Sequence, residues 1–254
     1  MYVCPFFLQP ILGSCFQTKM LFLQKKMIME QIAENLQKIK LQLLDNVKLV
    51  AVSKVKPNED IMAAYHAGQR LFGENYVQEL AQKYESLPKD IQWHFIGHLQ
   101  TNKVKYIIPF VSCIQSIDTP KLLSEVNRLA AKYNRTVDVL LQFHIAEEST
   151  KFGFSIEEVK EMFQMHPLAE FPNVRICGVM GMGTFTEDMT QVRREFKTLK
   201  SYFDELKATY FEHAGYFKEI SMGMTDDYLI AQQEGATIVR IGSAIFGKRI
   251  YNKQ

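Results

Sequence analysis

Lys54 closes an apolar run, LVAVSK, and so places an amine beside hydrophobic side chains. Alternate residues of a strand share a face, which aligns Val50, Val52 and Lys54. Apolar surroundings disfavour the ammonium form and lower an amine's pKa. A partly neutral amine attacks aldehydes to form a Schiff base. The competing reading is a solvated lysine at a strand end. Lys56 has the same parity but lies farther out, next to Pro57.

Two segments near the other end of the chain, SMGMTDD and VRIGSAIFG, have the composition of phosphate-holding turns. Gly223 and Gly242 let the backbone approach a ligand closely. Amides at the start of a following helix point at an anion, and Ser221 and Ser243 add hydroxyl donors. Either segment alone also reads as a strand-to-helix turn with a capping serine. Two in succession strengthen the phosphate reading, because the loops after the last two strands of a barrel are a recurrent phosphate site. Ile238, Arg240 and Gly242 share a face of the last strand. Arg240 is then either a donor at a barrel mouth or a structural arginine paired with a carboxylate.

An amine plus a phosphate cradle suits a phosphorylated aldehyde, and pyridoxal 5'-phosphate (PLP) is the coenzyme of that description. Arg240 would donate to its pyridine nitrogen without protonating it, leaving the ring a weak electron sink. Asn75, in FGENYVQE, offers a polar contact or a helix cap. Met180 to Gly183 would allow close approach to a flat ring, or are ordinary core and turn residues. His94 and His98 are four apart, a zinc spacing on a helix. Here Gly97 and the aromatic run indicate a strand ending in a loop, so no metal site is expected, and His94 reads as a hydrogen-bonded core or pocket-lining histidine.

The elements that must carry these residues alternate strictly. From Lys48 onward, eight short apolar runs are each followed by a helical pattern, and a helix with a stripe of Ile28, Ile32, Leu36, Ile39 and Leu43 precedes them. Continuous apolar strands are those of a parallel sheet covered on both faces. The expected fold is α/β, a single-domain (β/α)8 TIM barrel with an extra N-terminal helix; a doubly wound open sheet is the alternative. The helix before Gly235 is expected to start at Thr225 as its cap. Residues 1–26 lack helical caps and read as an unstructured extension or a start placed too far upstream, with the barrel domain spanning 27–254.

The chain has 254 residues, 47% hydrophobic and 23% charged, with a formal charge of +2. Near-balanced, scattered charge gives nucleic-acid binding little support. No apolar run has membrane-spanning length. Cys4, Cys15, Cys113 and Cys177 form no CxxC pair, which suits a reduced, cytoplasmic setting.

The ordered set VAVSKVKP, FGENYVQE, WHFIGHLQTNK, QSID, KFGF, VMGMG, SMGMTDDYLIA and VRIGSAIFG resembles the pyridoxal phosphate homeostasis protein family from about Lys48 to Lys248, and more distantly the N-terminal barrel of alanine racemase. The resemblance implies a fold-type-III barrel with PLP held on Lys54. It implies phosphate contacts from Ser221, Gly223, Gly242 and Ser243, Arg240 at the pyridine nitrogen, and Met222 and Asn75 in the pocket. It implies a PLP carrier or regulator without catalytic residues; PLP-dependent apoenzymes are the expected partners, and a monomer is the expected state. A racemase-like enzyme is the alternative, but racemases of this fold take a second base from an additional β domain. Thr225 stands where many relatives have serine.

Overall fold

The computed structural model describes residues 9–147 and 152–247. Eight parallel strands run in sequence order around a closed barrel. They are β1 (Lys48–Val52), β2 (Leu71–Glu74), β3 (Gln92–Phe95), β4 (Cys113–Ile117), β5 (Val137–Phe143), β6 (Val174–Gly181), β7 (Glu219–Ser221) and β8 (Ile238–Ile241). β8 pairs with β1 from Lys48↔Ile238 to Ala51↔Ile241, which closes the ring and sets aside the open sheet.

The helices are α1 (Gln9–Lys40), α2 (Asn58–His66), α3 (Val77–Ser86), α4 (Pro120–Lys132), α5 (Ile156–Met165), α6 (Met189–Tyr210), α7 (Tyr228–Gln233) and α8 (Ser243–Phe246). Their starts follow the local chemistry. The Thr119 side chain caps α4, with Pro120 at its first position. Ser155 and Glu158 form a reciprocal capping box on α5. The segment between β3 and β4 is a 3₁₀ helix, Thr101–Tyr106, rather than an α-helix.

Three expectations need revision. α1 is helical from Gln9, continuous with the stretch expected to begin at residue 27, while residues 1–8 lie outside the described residues. Ile32, Leu36 and Ile39 of α1 are buried, but Ile28 is exposed, so the buried stripe begins at Ile32. α7 starts at Tyr228 after Asp227, not after Thr225. Asp227 accepts from the Met224 amide at 2.5 Å, and this local bond holds residues 224–227 out of the helix.

The core has two layers. The larger lies between the strands and the surrounding helices and includes Leu49, Ala51, Phe72, Trp93 and Phe196. The smaller fills the barrel interior with Val50, Cys113, Leu140, Cys177, Met180 and Ile238. Strand alternation divides the residues between these layers. Polar Gln115 and Ser221 are fully buried, and Arg240 nearly so.

Candidate functional site

A cavity of about 400 Å³ opens at the C-terminal ends of the strands. Lys54, Asn75, Arg240, Gly242 and Ser243 all line it, although they come from β1, β2, β8 and the turns beyond them. Its charged lining is Lys54, Lys56, Arg240 and Asp226, which favours an anionic ligand.

Lys54 sits in a tight turn just after β1, closed by Lys56 N–H donating to Ser53 O at 3.0 Å. Val55 in this turn has φ 62°, a strained value for a β-branched residue. The surroundings fix the turn. Val55 N–H donates to Glu79 Oε1 at 2.6 Å. The Ser53 hydroxyl donates to buried Glu74 Oε1 at 2.6 Å. Lys83 Nζ reaches Ser53 O at 2.8 Å, Glu74 Oε1 at 2.8 Å and Glu79 Oε1 at 2.6 Å. Burial raises the Glu74 pKa, and Lys83 opposes that shift. Lys56 Nζ donates to the carbonyls of Phe246 (2.7 Å) and Gly247 (3.2 Å), tying the Lys54 turn to the end of α8.

The phosphate-type turns are also linked. Arg240 N–H donates to Gly223 O at 2.9 Å, and Ser243 Oγ donates to Thr225 Oγ1 at 3.1 Å. Gly223 has φ +92°, and a Cβ there would lie 2.5 Å from the Ala231 Cβ, so the turn requires glycine. Exposed Ser243 and half-buried Thr225 present hydroxyls at the rim.

Ser221 and Met222 do not line the cavity. The register Ser221↔Ile238 turns Ser221 into the barrel, beneath Arg240. Its hydroxyl is engaged with Gln115 Oε1 (2.6 Å) and Arg240 Nη1 (2.7 Å), so it supports Arg240 from below. Alternation then points the Met222 side chain outward, where it is fully buried against the helices. Gly223 contributes through its backbone.

Arg240 donates from Nη1 to Ser221 and from Nη2 to Gly181 O at 3.0 Å. Among the described residues no carboxylate pairs with it directly, which removes the structural ion-pair reading. Burial pushes its pKa down to about 10, with Asp227 opposing, so it stays charged at neutral pH. Asn75 Oδ1 is buried without a hydrogen-bond partner, a polar atom that a ligand can satisfy.

The opposite end of the barrel holds a second cavity, of about 520 Å³, lined by His94, Cys113 and Cys177 among others. Burial raises the Cys113 thiol well above its ordinary range and Cys177 to about 12, so neither is a thiolate at neutral pH. Both are free cysteines. His98 lies outside both cavities' chemistry, stacked on Phe152 at 4.1 Å between ring centres and bonded to Asp118 at 3.0 Å. Among the described residues no group of His, Cys, Asp and Glu is placed to hold a metal ion, and no helix is long and apolar enough to cross a membrane.

A profile of the alanine racemase N-terminal domain matches residues 28–250. A pyridoxal phosphate homeostasis protein of Aquifex aeolicus is 42% identical over 205 residues, covering 80% of this chain and 88% of the relative. The chain belongs to that family. Its human member is 38% identical over 217 residues, covering 82% of this chain and 78% of that one. PipY of Synechococcus elongatus, solved with PLP bound, superposes with a TM-score of 0.77 at 32% identity, covering 85% of this chain and 100% of PipY. Alanine racemase from E. faecalis shares the fold, with a TM-score of 0.67 at 16% identity and 58% of that chain covered.

Sequence reasoning missed the Ser53–Glu74–Glu79–Lys83 cluster behind the family's candidate lysine. Glu79 and Lys83 stand four apart in the sequence, the one local signal available. Gln115 was also missed, although a glutamine within an apolar strand body is itself a signal.

Proposed function

We propose that this protein binds PLP in the mouth cavity, with Lys54 as its covalent attachment point, and serves PLP homeostasis rather than catalysis. The observation that carries the reading is that Lys54, Arg240, Gly242 and Ser243 line one cavity of about 400 Å³, within the size range of small-molecule sites. The donor set fits the coenzyme: an amine for its aldehyde, rim hydroxyls and a helix start for its phosphate, and a guanidinium for its ring nitrogen. PLP, when bound, supplies an aldehyde that condenses with amines.

Each residue then has a definable task. Lys54 supplies the amine, aimed by its braced turn. Ser243, Thr225 and the first amides of the turn after Gly242 hold the phosphate. Arg240 presents a hydrogen-bond donor to the ring nitrogen and keeps its own proton, since a guanidinium at about pKa 10 remains charged. A ring that is not protonated stabilises carbanions poorly. That supports a holding role, and PLP-dependent apoenzymes are the proposed recipients. The relatives' shared name and PLP-bound PipY support the same reading.

Titration of purified protein with PLP, followed by visible absorbance, should saturate at one equivalent. Alanine and other amino acids should then be neither racemised nor transaminated above background. Sustained turnover would replace the holding role with a racemase-like enzyme, and the absence of saturable uptake would remove the cofactor assignment.

A further inference from the structure

A chain of hydrogen bonds crosses the barrel interior from Arg240 to the lower cavity. Arg240 Nη1 lies 2.7 Å from Ser221 Oγ, Ser221 Oγ lies 2.6 Å from Gln115 Oε1, and Gln115 Nε2 lies 2.8 Å from His94 Nδ1. All four side chains are buried. Arg240 lines the mouth cavity and His94 the lower one, so the chain joins the two ends of the barrel.

The guanidinium and the orientation of the Gln115 amide together set the direction of every bond. A guanidinium donates and never accepts, so Ser221 accepts from Arg240. The single Ser221 hydrogen then goes to Gln115, which must present its oxygen there. The Gln115 amide nitrogen therefore faces His94 and donates to Nδ1. His94 is thereby held as the neutral tautomer with its proton on Nε2. Flipping the Gln115 amide would leave the Ser221 hydrogen without its acceptor inside a low-dielectric core.

We propose that Gln115 is a positioning residue for the mouth site. Through Ser221 it fixes the Arg240 guanidinium in rotation, and His94 fixes Gln115 in turn. Gly181 O holds the other arm of the guanidinium at 3.0 Å, so the group has anchors on β6 and β7 and turns its remaining donors to the cavity it lines. This assignment rests on the PLP reading of the mouth cavity, but the direction of the chain does not.

The test uses wild type, Gln115→Glu and Gln115→Met. Nitrogen-15 NMR of the protein without PLP reads the His94 tautomer. Wild type should carry the proton on Nε2. Gln115→Glu, which has only acceptors when ionised, should move it to Nδ1, a switch that a merely space-filling role for Gln115 would not produce. With PLP added, Gln115→Met should shift the visible band and weaken PLP retention about tenfold, the scale of one hydrogen bond to a charged group. It should keep its borohydride-reducible bond to Lys54. If Gln115→Met fails to fold, Ser221→Ala tests the same link and should shift the same band. A wild-type His94 that carries its proton on Nδ1, or wild-type spectrum and retention in the folded Met or Ala variant, would overturn the proposal. Wild type that shows the expected tautomer yet takes up no PLP would instead overturn the cofactor reading and leave the chain intact.

Discussion

Acidification should destabilise this barrel through one histidine. His94 is buried, and that burial, reinforced by Lys48 and opposed by Asp138, pushes its pKa from 6.5 down to about 4. Its Nδ1 accepts from Gln115, so no acceptor there waits for a proton. The unfolded chain takes up a proton near pH 6.5, whereas the folded chain resists until about 4. Between those values the unfolded state binds more protons, so stability falls as pH falls. The contribution is fully present above about pH 6.5 and amounts to about 3 kcal/mol once fully lost below about pH 4. Roughly 2.5 kcal/mol of it should be gone at pH 4.5, which is about 5–10 °C in midpoint for a chain of this length. Thermal unfolding of wild type and His94→Gln without PLP at pH 7.5 and 4.5 isolates the effect, because glutamine keeps an acceptor for Gln115 but does not titrate. Other acidic groups titrate alike in both proteins and cancel. Wild type should lose more than the variant by that margin, and equal losses in the two proteins would refute the reasoning.

The brace behind Lys54 should be equally measurable. Lys83→Met leaves the Glu74 carboxylate buried without its cation, so denaturation should show a loss of about 3–5 kcal/mol and weakened PLP retention. Adding Glu74→Gln should recover part of the stability, and no recovery would argue against an uncompensated charge as the cause. Gly178 stands in a β-bulge of β6 at φ +153°, where an added Cβ would lie 1.8 Å from Glu219 O. Gly178→Ala should cost about 3 kcal/mol or more, from overpacking against backbone together with conformational strain. Gly68, at φ +87° with open space around it, should lose only about 1 kcal/mol on the same change, and equal losses would show that backbone angle alone governs both.

The barrel was legible because each strand is a short apolar run followed by a helical pattern, and α4 and α5 carry their own caps. That Lys54, Asn75, Arg240, Gly242 and Ser243 meet at one cavity was legible because the C-terminal ends of barrel strands converge, so residues distant in sequence there become neighbours. Ser221 and Met222 stand outside the cavity lining for a physical reason. Their strand has three residues, and the register Ser221↔Ile238, not proximity to Gly223, decides which side chain turns inward. Parity with Ile238 and Arg240 carried that information. The Lys83–Glu74–Ser53 brace depends on β1, β2 and α3 meeting, which local sequence does not specify. The start of α7 was displaced because Asp227, rather than Thr225, captures a free amide.

The central claim is that Lys54 carries the coenzyme, and borohydride reduction followed by peptide mapping tests it most directly. PLP-loaded wild type should yield a single labelled peptide with the label on Lys54, and Lys54→Ala should yield none while remaining folded. Label on Lys56 or on any other lysine of the wild-type protein would contradict the account.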